Sequence, residues 1–95
     1  MKEYEALFVI DPEKEKSIKE VALNITGAIA KSAGRVIKEQ NWGKQRLAYP
    51  IDKRAEGVYY KLDFSAPEKA ISNLNNNFKL NADILRVIIT AKREK

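Results

Sequence analysis

Apolar residues recur along this chain in two rhythms, one of two residues and one of three to four. Residues 4–10 place Tyr4, Ala6, Phe8 and Ile10 at alternate positions, with Glu5, Leu7 and Val9 between them. That is the period of a strand with two distinct faces. The larger, more aromatic set belongs to a core, which leaves Glu5, Leu7 and Val9 on the opposite face. Asp11-Pro12 ends the strand and can open a helix with Pro12 in its first position. Ser17-Ile18-Lys19-Glu20 offers a second start with capping-box spacing, and the sequence leaves both open. Ile18, Val21, Ala22, Ile25, Ile29 and Ala33 then form one helical stripe. Gly34 is placed to end that helix in a left-handed conformation.

The rhythm returns to two from Arg35, through a long second strand that includes Trp42 and ends near Pro50-Ile51. Gly43 allows a bulge within it. Asp52-Lys53-Arg54-Ala55-Glu56-Gly57 is a polar turn, followed by a third strand with Val58, Tyr60, Leu62 and Phe64 toward the core and Tyr59, Lys61 and Asp63 away from it. The short separation makes these two strands a hairpin. Ser65-Ala66-Pro67-Glu68 has the signature of a second helix start; Ile71, Leu74 and Phe78 stripe that helix, and Asn81 stops it. In the last strand Leu85, Val87, Ile89 and Ala91 form the expected core face, with Ile84, Arg86, Ile88 and Thr90 opposite.

The order β-α-β-β-α-β is the α+β, ferredoxin-like split βαβ pattern, a four-stranded antiparallel sheet with two helices on one face. Residues 1–95 are expected to form a single domain, with sheet order 4-1-3-2. That order puts the second strand at an edge, where Pro50, which cannot donate a ladder hydrogen bond, is tolerated.

Composition narrows the chemistry. The chain has no cysteine and no histidine, so it lacks a disulfide framework, a thiolate metal site and the commonest general base. Its glycines lie too far apart for a phosphate-binding loop, and no carboxylate pair suited to acid–base work is legible. No catalytic residue, metal site, cofactor or small-molecule substrate is expected. Acidic residues at Glu3 and Glu5 argue against a signal peptide, and no apolar run reaches membrane-spanning length. The 18 Lys plus Arg outnumber the 13 Asp plus Glu, for a net charge of +5, which favours an anionic partner such as nucleic acid.

Two surfaces stand out. The open sheet face carries Leu7, Val9, Tyr59, Lys61 and Ile88, more apolar than an uncovered face requires, and is a candidate protein-partner surface. The cations Lys44, Arg46, Lys53 and Arg54 gather around the second strand and hairpin, and Lys2, Arg86, Lys92 and Arg93 belong to the terminal strands. Lys2, Lys44, Arg46, Arg86, Lys92 and Arg93 are candidate RNA contacts, with Trp42 and Tyr49 beside them. Only Tyr59 on the open face corresponds to the stacking aromatics of an RNA-recognition module, so a typical module of that kind is disfavoured.

Trp42-Gly43-Lys44-Gln45-Arg46-Leu47-Ala48-Tyr49-Pro50-Ile51 closely resembles the signature of the bacterial small-subunit ribosomal protein six family. That signature is a glycine, basic or polar residues, then Leu-Ala-Tyr-Pro-Ile. Tyr4-Glu5 with Asp11-Pro12, Ala66-Pro67 and Arg86-Val87 extend the resemblance over the whole chain. Gln45 departs from it where a basic residue is usual, with Arg46 next door. The resemblance implies a structural constituent of the small (30S) subunit, in the cytoplasmic ribosome. It further implies binding to the central domain of 16S rRNA, cooperatively, as a heterodimer with ribosomal protein eighteen. The partner would lie on the open face or along the second-strand edge. The alternative from another class is a non-ribosomal ferredoxin-like interaction or regulatory module.

Overall fold

A computed structural model describes residues 2–51 and 54–92. Strand β1 (Lys2–Ile10) leads through a 3-10 turn (Pro12–Ser17) to helix α1 (Ile18–Lys31). Strands β2 (Arg35–Ile51) and β3 (Arg54–Ala66) follow, then a short 3-10 turn (Glu68–Ala70), helix α2 (Ile71–Leu80) and strand β4 (Ile84–Ala91). The strands form one antiparallel sheet in the order β2-β3-β1-β4, with β2 at an edge as expected.

Both helices pack on one face of that sheet. Tyr4, Phe8 and Ile10 of β1 and Tyr60, Leu62 and Phe64 of β3 meet Val21, Ile25 and Ile29 of α1 and Leu74 and Phe78 of α2 in a single core. Phe8 meets Phe78 edge to face at 5.0 Å between centroids, a favoured aromatic geometry. The Tyr60 hydroxyl is buried without a hydrogen-bond partner among the described residues. Burial, with the Glu39 charge nearby, raises its pKa well above the ordinary phenol value.

Both expected helix starts are used. Pro12 opens the 3-10 turn, Asp11 Oδ1 accepts a hydrogen bond from the Glu13 N–H at 3.0 Å, and α1 proper begins after Ser17, whose side chain makes no cap bond. The left-handed residue after α1 is Ala33 (φ 63°), not Gly34. The Gly34 N–H donates to the Ile29 carbonyl at 2.8 Å and the Ala33 N–H to the Ala30 carbonyl at 3.1 Å, the paired bonds of a Schellman ending. Gly34 is needed for space: a Cβ there would lie 2.7 Å from Ile29 Cγ2 and 2.9 Å from the Ser65 carbonyl oxygen.

Three further expectations shift. Arg54 to Gly57, read as turn, belong to β3, so the hairpin arm is longer than its polar sequence indicated. Ser65 and Ala66 finish β3 instead of starting a helix, and α2 begins at Ile71. In β4 the register slips opposite Val9 and Ile10, which face Arg86 and Ile84 respectively. Leu85 is the extra residue, so Ile84 enters the core instead of the open face, alongside Val87 and Ile89. A bulge of one residue reverses the side on which preceding side chains fall.

Candidate nucleic-acid and partner interface

The register orders the open face in rows. Arg86, Val9, Tyr59 and Gly43 lie across β4, β1, β3 and β2 in the first row; Ile88, Leu7, Lys61 and Gln40 in the second; Thr90, Glu5, Asp63 and Lys38 in the third. At the far end the Lys92 N–H donates to the Glu3 carbonyl at 2.9 Å. From the Val9 row to the Glu3 row is six residues, about 20 Å of strand.

An apolar trough occupies the middle of this face. It has a volume of about 220 Å³ and is lined by Ala6, Leu7, Trp42 and Ile88, with Glu5, Lys61 and Thr90 at its rim. Trp42 is its unexpected member. It is the extra residue of a bulge between Asn41 and Gly43, and Gly43 takes φ 77° there. The Asn41 side-chain oxygen accepts the Gly43 N–H at 2.9 Å, fixing the turn of the backbone. Trp42 thus lines the trough with Leu7 and Ile88 instead of standing with the cations, and it and Ile88 remain 47% and 52% exposed. Tyr59 and Lys61 lie half-buried on the same face, the Lys61 ammonium 3.3 Å from the Glu5 carboxylate. Val9 is only 6% exposed. A Cβ at Gly57 would press on Val9 Cγ1 and lie 3.6 Å from Leu47 Cδ2, so both side chains approach the Gly57 backbone at the root of the arm.

The candidate RNA-contacting cations divide between the two ends of the sheet. Lys44, Arg46 and the 80%-exposed Tyr49 sit on the outer part of β2. Arg86 is exposed at the same end, three strand spacings or about 14 Å across the sheet. Lys2 and Lys92 sit at the other end and are paired: Lys2 Nζ lies 3.1 Å from Glu68, and Lys92 Nζ donates to Asp63 Oδ2 at 3.1 Å. The hydrogen bond to Asp63 raises the Lys92 pKa, against an opposing desolvation. Arg93 and Lys53 lie outside the described residues.

Arg54, grouped in the sequence with the hairpin cations, is engaged inside the fold. Its Nε donates to Asp11 Oδ1 at 3.0 Å and its Nη2 to Asp11 Oδ2 at 2.9 Å, with Glu13 at 3.8 Å. The Arg54 hydrogen bonds hold the Asp11 carboxyl below its ordinary pKa, aided by the Glu13 N–H, while burial opposes the shift. Nothing local in the sequence could find this pair, which spans 43 positions. Lys16 was missed likewise: it lines a cleft of about 450 Å³ with Pro12, Glu13 and Lys44, formed where the 3-10 turn meets β2. Among the described residues no three His, Cys, Asp or Glu side chains are placed to hold a metal ion. No described helix is long and apolar enough to cross a membrane.

A four-stranded split βαβ sheet with an open half-apolar face and a cationic hairpin arm defines a ferredoxin-like α+β protein. A family model for ribosomal protein S6 matches residues 3–91. The small ribosomal subunit protein bS6 of Clostridioides difficile (strain 630) is 30% identical over 89 residues, covering 94% of this chain and 97% of that one. The crystal structure of 30S ribosomal protein S6 from Thermotoga maritima superposes with a TM-score of 0.88 over 96% of this chain and 87% of that chain. At 24% identity that likeness speaks for the fold. The chain belongs to the ribosomal protein S6 family and is a protein of the small ribosomal subunit, with a structural role in translation. A regulatory module acting apart from the ribosome is thereby set aside.

Proposed function

We propose that this chain binds the central domain of 16S rRNA cooperatively, as a heterodimer with small-subunit ribosomal protein eighteen. One observation carries the reading: the exposed cations of the arm and the apolar trough are separate surfaces of one sheet, so two partners can be held at once. Lys44, Arg46 and Arg86 contact phosphate, and Tyr49 offers a ring for stacking. Lys2 and Lys92 lie at the opposite end of the sheet, beside Glu68 and Asp63. Leu7, Trp42, Tyr59, Lys61 and Ile88 receive the protein partner. Each partner then raises the affinity of the other by a shared coupling free energy.

The test is a titration of central-domain rRNA by the Lys44→Ala/Arg46→Ala double variant, with and without protein eighteen, over a range of salt. Loss of two phosphate contacts should weaken binding and reduce the slope of log K against log salt by about 1.4–1.8. An unchanged slope removes the arm from the RNA interface. An affinity indifferent to protein eighteen removes the cooperative heterodimer.

A further inference from the structure

The β2–β3 hairpin runs beyond the rest of the sheet. β1 pairs with β3 from Lys2–Ala66 to Ile10–Val58, whereas Arg54, Glu56 and Gly57 pair with β2 and, among the described residues, with no other strand. The arm that carries Arg46 and Tyr49 is therefore a cantilever whose direction the sheet does not fix. Two contacts hold it, one at its base on the open face and one near its tip on the helix-covered side. On the open face Val9 and Leu47 both approach Gly57. On the helix-covered side the Arg54 guanidinium grips both oxygens of Asp11, the residue that follows β1.

Asp11 is well placed to act as an anchor. It is 7% exposed. Its own N–H donates to the Asp83 carbonyl at 2.9 Å, its carbonyl accepts the Lys14 N–H at 2.9 Å, and its carboxylate accepts the Glu13 N–H. It is thus tied to the 3-10 turn and to the approach to β4, and a bidentate fork to such a residue fixes direction as well as distance.

We infer that the Asp11–Arg54 fork is a clamp that sets the orientation of the hairpin arm, making Arg54 a positioning residue instead of a phosphate contact. An arm held in this way presents its cations without first having to be ordered, which favours binding. The consequence for RNA rests on the function proposed above; the clamp itself does not.

Arg54→Lys keeps the charge and loses the fork, and Asp11→Asn keeps the shape and loses the charge. Amide hydrogen exchange in full-length protein should rise about tenfold or more in residues 45–51 and 54–57 of either variant, and stay unchanged at residues 58–66. Affinity for central-domain rRNA should fall about tenfold with an unchanged salt slope, since no phosphate contact is removed. Unaltered exchange in the arm of Arg54→Lys overturns the clamp, as does a flattened salt slope, which would make Arg54 a phosphate contact. If Asp11→Asn does not fold, Arg54→Lys decides alone. Should the unaltered protein fail to bind the RNA while exchange divides as expected, the clamp stands and the RNA reading falls.

Discussion

From Val58 to Ala66, β3 runs between β1 and β2, and every second side chain, from Val58 through Tyr60, Leu62 and Phe64 to Ala66, is buried beneath the helices. From Arg54 to Gly57 the same strand has β2 as its one described strand partner, and an ion pair and the approach of Val9 and Leu47 to Gly57 hold it. The inner half is fixed by apolar burial, which has no preferred direction and little dependence on pH. The outer half is fixed by a directional, charge-assisted fork. One strand therefore combines a rigid support with an arm whose placement depends on the state of a single carboxylate.

The largest way to break this contrast is at the inner half. Phe64→Ala should cost about 3–5 kcal/mol by urea denaturation, because a fully buried ring leaves a cavity the sheet cannot close. A cost below about 1 kcal/mol would mean that burial does not hold this part of the strand.

A smaller and pH-dependent effect is expected at the outer half. Losing the charged fork in Asp11→Asn should cost about 2–3 kcal/mol near neutral pH. The Asp11 pKa lies below its ordinary 3.8 in the folded protein. Its stabilisation is therefore fully present above that value and is lost as the pH falls through the folded pKa. The gap between the unaltered protein and Asp11→Asn should be constant from pH 7 to 5 and narrow below about 3.8. A gap that widened on acidification would contradict the sign of the shift.

The smallest effect is at Gly43, which lies opposite Tyr59. A Cβ there meets nothing within 4 Å, so the φ of 77° is the only obstacle to a side chain. Gly43→Ala should cost about 1 kcal/mol, and it should perturb the fluorescence of Trp42 in the bulge more than it perturbs the core. A stability loss as large as that of Phe64→Ala would show that the bulge carries part of the core.

Legibility in the sequence follows the same division. In β1 and the inner half of β3, strict alternation and burial on one side left a single consistent assignment, and the structure keeps it. In β4 the alternation predicts one unbroken register through Leu85, since nothing in Ile84-Leu85-Arg86 marks a bulge that exists only against Val9 and Ile10. The stop of α1 was legible as a position, but the part of Gly34 is to leave space beside Ile29 and Ser65, a residue far along the chain, while Ala33 takes the left-handed turn. For the candidate site, the open-face set and the exposed arm cations followed from parity and charge. The direction of Trp42, the covering of Val9 and the engagement of Arg54 did not. Each is decided by a neighbour brought in by tertiary structure.

The central position of β1 has a consequence for the order of synthesis. Tyr4 is opposite Phe64 on one side and Ala91 on the other, so the first strand made is the last to be fully flanked. At about 5–20 residues per second, the 87 positions from Tyr4 to Ala91 take roughly 4–17 s to make. Through that interval one edge of β1 cannot find its partner strand on a growing chain. A chain lacking β4 would therefore present the unpaired backbone edge of β1 to other strands or to chaperones.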